Sequence, residues 1–72
     1  MQIYMIRRPR DGLYSTGGAY PYFSKFGKVW TRKHLLRAHL RIVADPTVYN
    51  DCAVVTMTME VSESTPIQEW VQ

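Results

Sequence analysis

The chain has 72 residues, 46% of them hydrophobic and 21% charged, with a net charge of +3 and a single cysteine. A chain this short supports one domain around one small core, because it buries only about 60% of its unfolded surface. Cys52 alone excludes an internal disulfide, and no stretch approaches the roughly 20 apolar residues of a membrane span.

The first residues, MQIYMIRRPR, place apolar side chains ahead of arginines, the reverse of a secretory leader. Residues 2–7 are β-branched or aromatic enough for a strand. Arg8-Pro9-Arg10-Asp11-Gly12 then reads as a turn, since Pro fixes φ and Gly accepts positive φ. Residues 13–16 can pair back as a second strand, completing a hairpin. Gly17-Gly18-Ala19-Tyr20-Pro21 interrupts the pattern, and residues 22–30 read as a short extended stretch with a tight turn near Gly27.

A helix is expected from Thr31, whose hydroxyl suits an N-cap, with Trp30 and Leu35 forming a hydrophobic staple. It should run to Val43 or Ala44, where Asp45-Pro46 ends it. At about 100° per residue, Leu35, Leu36, Leu40, Ile42 and Val43 share one broad face around His39. Lys33, Arg37 and Arg41 stack at four-residue spacing on the other side, beside His34. Like charges four apart cost a helix a few tenths of a kcal/mol, so this stripe does not serve helix stability.

Residues 47–51 read as a polar link. In residues 52–61, Val55, Met57, Met59 and Val61 alternate with Val54, Thr56, Thr58 and Glu60, the signature of a half-buried strand. Residues 62–66 form a turn or linker, and residues 67–71 are apolar but too short to assign. The sum is an α+β domain spanning residues 1–72. A small antiparallel sheet of three to four strands, in the order β-β-(β)-α-β, carries one amphipathic helix on one face, with residues 62–72 as a loosely packed tail.

The residues that carry chemistry argue against an enzyme. His34 and His39 have zinc-finger spacing, but the paired cysteines are absent and the two rings point about 140° apart on a helix. His39 reads as a core histidine, His34 as an exposed one, and no metal or other cofactor is expected. Cys52 before a β-branched strand reads as a small core hydrophobe rather than a nucleophile. Gly17-Gly18 lacks the following helix and the lysine-serine ending of a phosphate-binding loop.

Charge is more informative. All nine bases lie between Arg7 and Arg41, so residues 1–41, with Asp11 as their one acid, carry a net +8; residues 42–72 hold five acids and no base, a balance of −5. Such asymmetry points to a basic face and an acidic one. Aromatics interleave with bases from Tyr20 to Trp30, a pattern that can stack single-stranded nucleic acid.

The run Gly12-Leu13-Tyr14-Ser15-Thr16-Gly17-Gly18, then Phe23-Ser24-Lys25-Phe26-Gly27-Lys28-Val29-Trp30, then His39-Leu40 resembles a set of small proteins of unknown function from tailed bacteriophages. Tyr49-Asn50-Asp51-Cys52 fits too, and the likeness covers roughly the first three quarters of the chain. It departs in the helix, where Lys33-His34-Leu35 replaces the usual Gly-His-Leu run, and in residues 62–72. The resemblance implies a phage accessory gene, with no mechanism attached; with the single cysteine and no leader or membrane span, the expected location is the host cell cytoplasm.

Three readings follow from the charge and the resemblance. The first is a host-directed binding protein that inhibits an antiviral defence or nucleic-acid-handling complex by docking on an acidic surface. Its contact residues would be Lys33, Arg37 and Arg41, with Arg7, Arg8 and Arg10 as a second patch. The second is direct binding of DNA or RNA. The third is an oligomeric sponge for an anionic nucleotide signal. A thin core, a Met-rich strand and the apolar tail around Trp70 also suit a homodimer.

Overall fold

The computed structural model describes residues 1–71. Strand β1 (Gln2–Arg8) is the axis of the sheet, as its run of Ile, Tyr and Met requires. Strand β4 (Ala53–Thr58) flanks β1 over six antiparallel pairs, from Gln2 opposite Thr58 to Arg7 opposite Ala53. On the other side β1 pairs with β2 (Leu13–Ser15), and β2 with the two-residue β3 (Phe23–Ser24). The order is β3-β2-β1-β4, all antiparallel, with one helix, α1 (Lys33–Ile42). This is the expected small α+β fold, at the upper end of the expected strand number. No helix among the described residues is long and apolar enough to cross a membrane.

Two glycines make the β2–β3 region possible. Gly17 has φ +73°, which a side chain rarely tolerates. Gly27 is needed for space: a Cβ there would sit 2.4 Å from the Tyr14 Cβ and 2.7 Å from the Ser15 carbonyl oxygen. The close approach lets the Lys28 N–H donate to the Ser15 carbonyl at 2.9 Å. The chain then returns to β1, where Tyr4 and Trp30 exchange two backbone hydrogen bonds at 2.8 and 2.9 Å.

That exchange moves the start of the helix. Trp30 is held extended beside β1, Thr31 and Arg32 form the bend, and the N-cap is Arg32 rather than Thr31. No side chain caps the helix; the Leu35 and Leu36 N–H groups both donate to the Arg32 carbonyl. Leu35 is exposed, so the expected staple is replaced by packing of Trp30 with Tyr4, Ile6 and Leu36. α1 ends at Ile42, before the Asp45-Pro46 boundary, where Asp45 caps a 3-10 helix (Pro46–Tyr49) by accepting from the Thr47 N–H and hydroxyl at 3.0 and 2.6 Å.

α1 lies on the sheet face that carries Tyr4, Ile6, Val54 and Thr56. The opposite face carries Ile3, Met5, Val55 and Met57, of which only Ile3 is buried. β4 is shorter than the alternation suggests. It stops at Thr58, after which only Met59 stays tied to the sheet, its N–H donating to the Met1 carbonyl. Residues 60–71 hold one 3-10 turn (Ile67–Glu69) and are exposed apart from half-buried Thr65.

Candidate functional site

The helix buries a narrower arc than its leucines suggest. Leu36, His39 and Val43 face the sheet, whereas Leu35 and Ile42 are exposed. His39 occupies the centre of this arc because a partner satisfies it: its Nε2 lies 2.7 Å from the Tyr49 hydroxyl. The Tyr49 hydroxyl in turn lies 2.6 Å from Ser15 Oγ, and Ser15 is 0% exposed. The Gly17 N–H donates to the same Oγ at 3.1 Å.

The Gly17 N–H can only donate, so Ser15 Oγ accepts there and keeps its own hydrogen to give. With His39 neutral and accepting at Nε2, Ser15 donates to Tyr49 and Tyr49 donates to His39, so every member is satisfied. Burial holds His39 below the ordinary histidine range, with nearby Lys28 adding to the effect; both favour that neutral form. Burial likewise pushes the Tyr49 hydroxyl up, with Ser15 opposing.

The network is a brace rather than a catalytic centre. Ser15 has no open side for a substrate, and Tyr49 separates it from His39. Cys52 packs half-buried against the core; burial and then Asp51 raise its thiol pKa, opposing the thiolate a nucleophile needs. Among the described residues no three His, Cys, Asp or Glu side chains group in a way that could hold a metal ion.

The brace extends outward. The Phe23 ring meets Tyr49 edge-on at 6.4 Å, and the Arg8 guanidinium stacks 4.0 Å above Phe23. Arg8 also donates to both carboxylate oxygens of Asp11, at 2.6 to 3.2 Å, which holds that carboxyl below the usual range. Arg10 reaches Asp51 at 3.6 Å. Arg7 projects from the face opposite to Arg8, so the three hairpin arginines do not form one patch. Arg8, with its side chain 18% exposed, is largely committed to the fold.

The helix bases are placed differently. Lys33, Arg37 and Arg41 are exposed, and the two ion pairs among the described residues use neither them nor Asp45, Glu60 or Glu63. Nor does the whole stripe stand opposite the core. Lys33 and Arg37 line a groove of about 300 Å³ between α1 and β4, together with Tyr4, Leu36, Leu40 and Val54. The groove lies where the buried arc ends: Leu36 is buried, and Leu40, one turn further along the helix at the margin of the arc, is exposed.

Tyr20, Tyr22 and Phe26 are exposed, as are Lys25 and Lys28 beside them. The core takes Tyr4 and Trp30 and leaves these loop aromatics to solvent. Ser15 and Tyr49 are the residues that the sequence hides. A serine ending a short strand and a tyrosine in a polar link give no periodic signal of burial. No protein-family model, curated protein or solved structure matches the chain.

Proposed function

We propose that this protein is a non-enzymatic binding protein that docks an acidic surface of a partner through α1. The carrying observation is that Lys33, Arg37 and Arg41 stand exposed with no acid of the described chain paired to them. A row of unpaired cations disfavours its own helix and favours approach to an anionic surface. Arg10, exposed and only loosely paired with Asp51, is a second cation open to a partner; Arg8 is not. The resemblance to small phage proteins supports a host protein as the partner, met in the host cytoplasm, with its defence or nucleic-acid-handling activity blocked by occupation. The test is capture from nuclease-treated bacterial lysate with the wild-type chain and with Lys33→Ala/Arg37→Ala/Arg41→Ala. A partner retained by both, with the variant folded, overturns the assignment.

Direct binding of single-stranded nucleic acid is the second reading, favoured by the exposed Tyr20, Tyr22 and Phe26 next to Lys25. It predicts a gel shift at low salt that weakens steeply as salt rises and is lost in Tyr22→Ala/Phe26→Ala. No shift at low salt removes it.

A further inference from the structure

The α1–β4 groove and the segment that follows β4 both carry apolar surface, and their charges are opposite. The groove offers apolar surface from Tyr4, Leu36, Leu40 and Val54, and cationic groups from Lys33 and Arg37 on its helix side. Such a lining takes an apolar anchor with carboxylates beside it. The C-terminal segment has both. Its 3-10 turn, closed by the Trp70 N–H donating to the Ile67 carbonyl at 2.9 Å, brings residues three apart onto one side. Ile67 and Trp70 therefore form one apolar knob, and they are 72% and 77% exposed. Glu63 precedes the knob, Glu69 lies between its two residues in sequence, and no base occurs after Arg41.

We propose that the groove receives residues 62–71 of a second copy of this chain, with Ile67 and Trp70 in the apolar part and Glu63 and Glu69 against Lys33 and Arg37. The segment leaves the sheet beyond Thr58, opposite Gln2, and residues 66–71 all lie exposed, off their own sheet. The exchange is reciprocal, the same two copies each giving one segment and receiving one, which closes the pair on a two-fold axis. This goes beyond the partner reading. Lys33 and Arg37 serve both, so self-association competes with an acidic partner, whereas Arg41 stays outside the groove.

Sedimentation velocity over a concentration series tests it, with circular dichroism showing that each variant is folded. The full chain is expected to form a reversible dimer. Ile67→Ser/Trp70→Ser, Lys33→Glu/Arg37→Glu and Glu63→Lys/Glu69→Lys should each weaken it about tenfold or more. Mixing the two charge-reversed chains should restore association, because each groove then meets a segment of opposite sign. A monomer at every concentration overturns the proposal. So does a dimer that Ile67→Ser/Trp70→Ser leaves unchanged, or a failure of the mixed chains to recover. Dimerisation and lysate capture are separate readouts, so either reading can fail while the other stands.

Discussion

The two sides of α1 contrast sharply. Toward Tyr49, a buried serine, a half-buried tyrosine and a buried histidine satisfy one another, and a stacked arginine closes the outside. Toward β4, apolar side chains and two cations line an open groove. The first side is internally complete and contributes to stability; the second is incomplete and available to something else. A small domain with a thin core can leave one side open only if the other is well specified.

The sharpest way to break the closed side is at Gly27. Gly27→Ala drives a methyl into the Tyr14 Cβ and the Ser15 carbonyl, with backbone on one side, and should cost about 3 kcal/mol or prevent folding. Gly18→Ala is the control: nothing lies within 4 Å of its Cβ, and only φ +81° opposes it, at about 1 kcal/mol. Equal losses in urea midpoint for the two would refute the close-packing argument.

Tyr49→Phe comes next. It keeps the ring against Phe23 and removes the hydroxyl shared by Ser15 and His39, leaving buried polar groups unpartnered at a cost of about 2 kcal/mol. A variant of unchanged stability would mean that the brace is dispensable.

Acid should open the same side more gradually. His39 has a lowered pKa in the fold, so the unfolded chain takes up the proton first. The contribution is therefore intact above the ordinary histidine value of about 6.5 and declines as pH falls through it, levelling off only below the folded value. In His39→Gln that pH dependence should be absent; its persistence would place the titrating group elsewhere.

The open side should respond least. Lys33→Ala/Arg37→Ala/Arg41→Ala should change stability by no more than about 0.5 kcal/mol, with relief of like-charge repulsion as the favourable part. A loss comparable to that of Tyr49→Phe would show that these cations support the fold and are not free.

The sequence made the periodic parts of this division legible. The alternation in β4, the hairpin turn at Pro9 and Gly12, and the 3.6-residue repeat of α1 each carry a local signal, and together they led to the α+β fold. What stayed hidden depends on partners distant in the chain. Ser15 and Tyr49 are 34 residues apart, and no pattern in either segment announces the pairing. The same cause displaced the helix start. Thr31 suits a cap, yet the bridge between Tyr4 and Trp30 sets where the chain can turn. The basic stripe was visible as spacing, but its approach to the β4 groove follows from which arc of α1 is buried, and His39 and Tyr49 decide that.

The uncapped entry to α1 has a further consequence. The Arg32 side chain offers no acceptor to the free amides of the first turn, the first turn has no acid, and Lys33 and His34 place basic groups at the positive end of the helix dipole. That turn is the loosest part of the helix, and its amides should exchange with solvent deuterium before those near His39. Arg32→Asp should slow them and raise the melting temperature, adding about 1 kcal/mol that the native sequence forgoes.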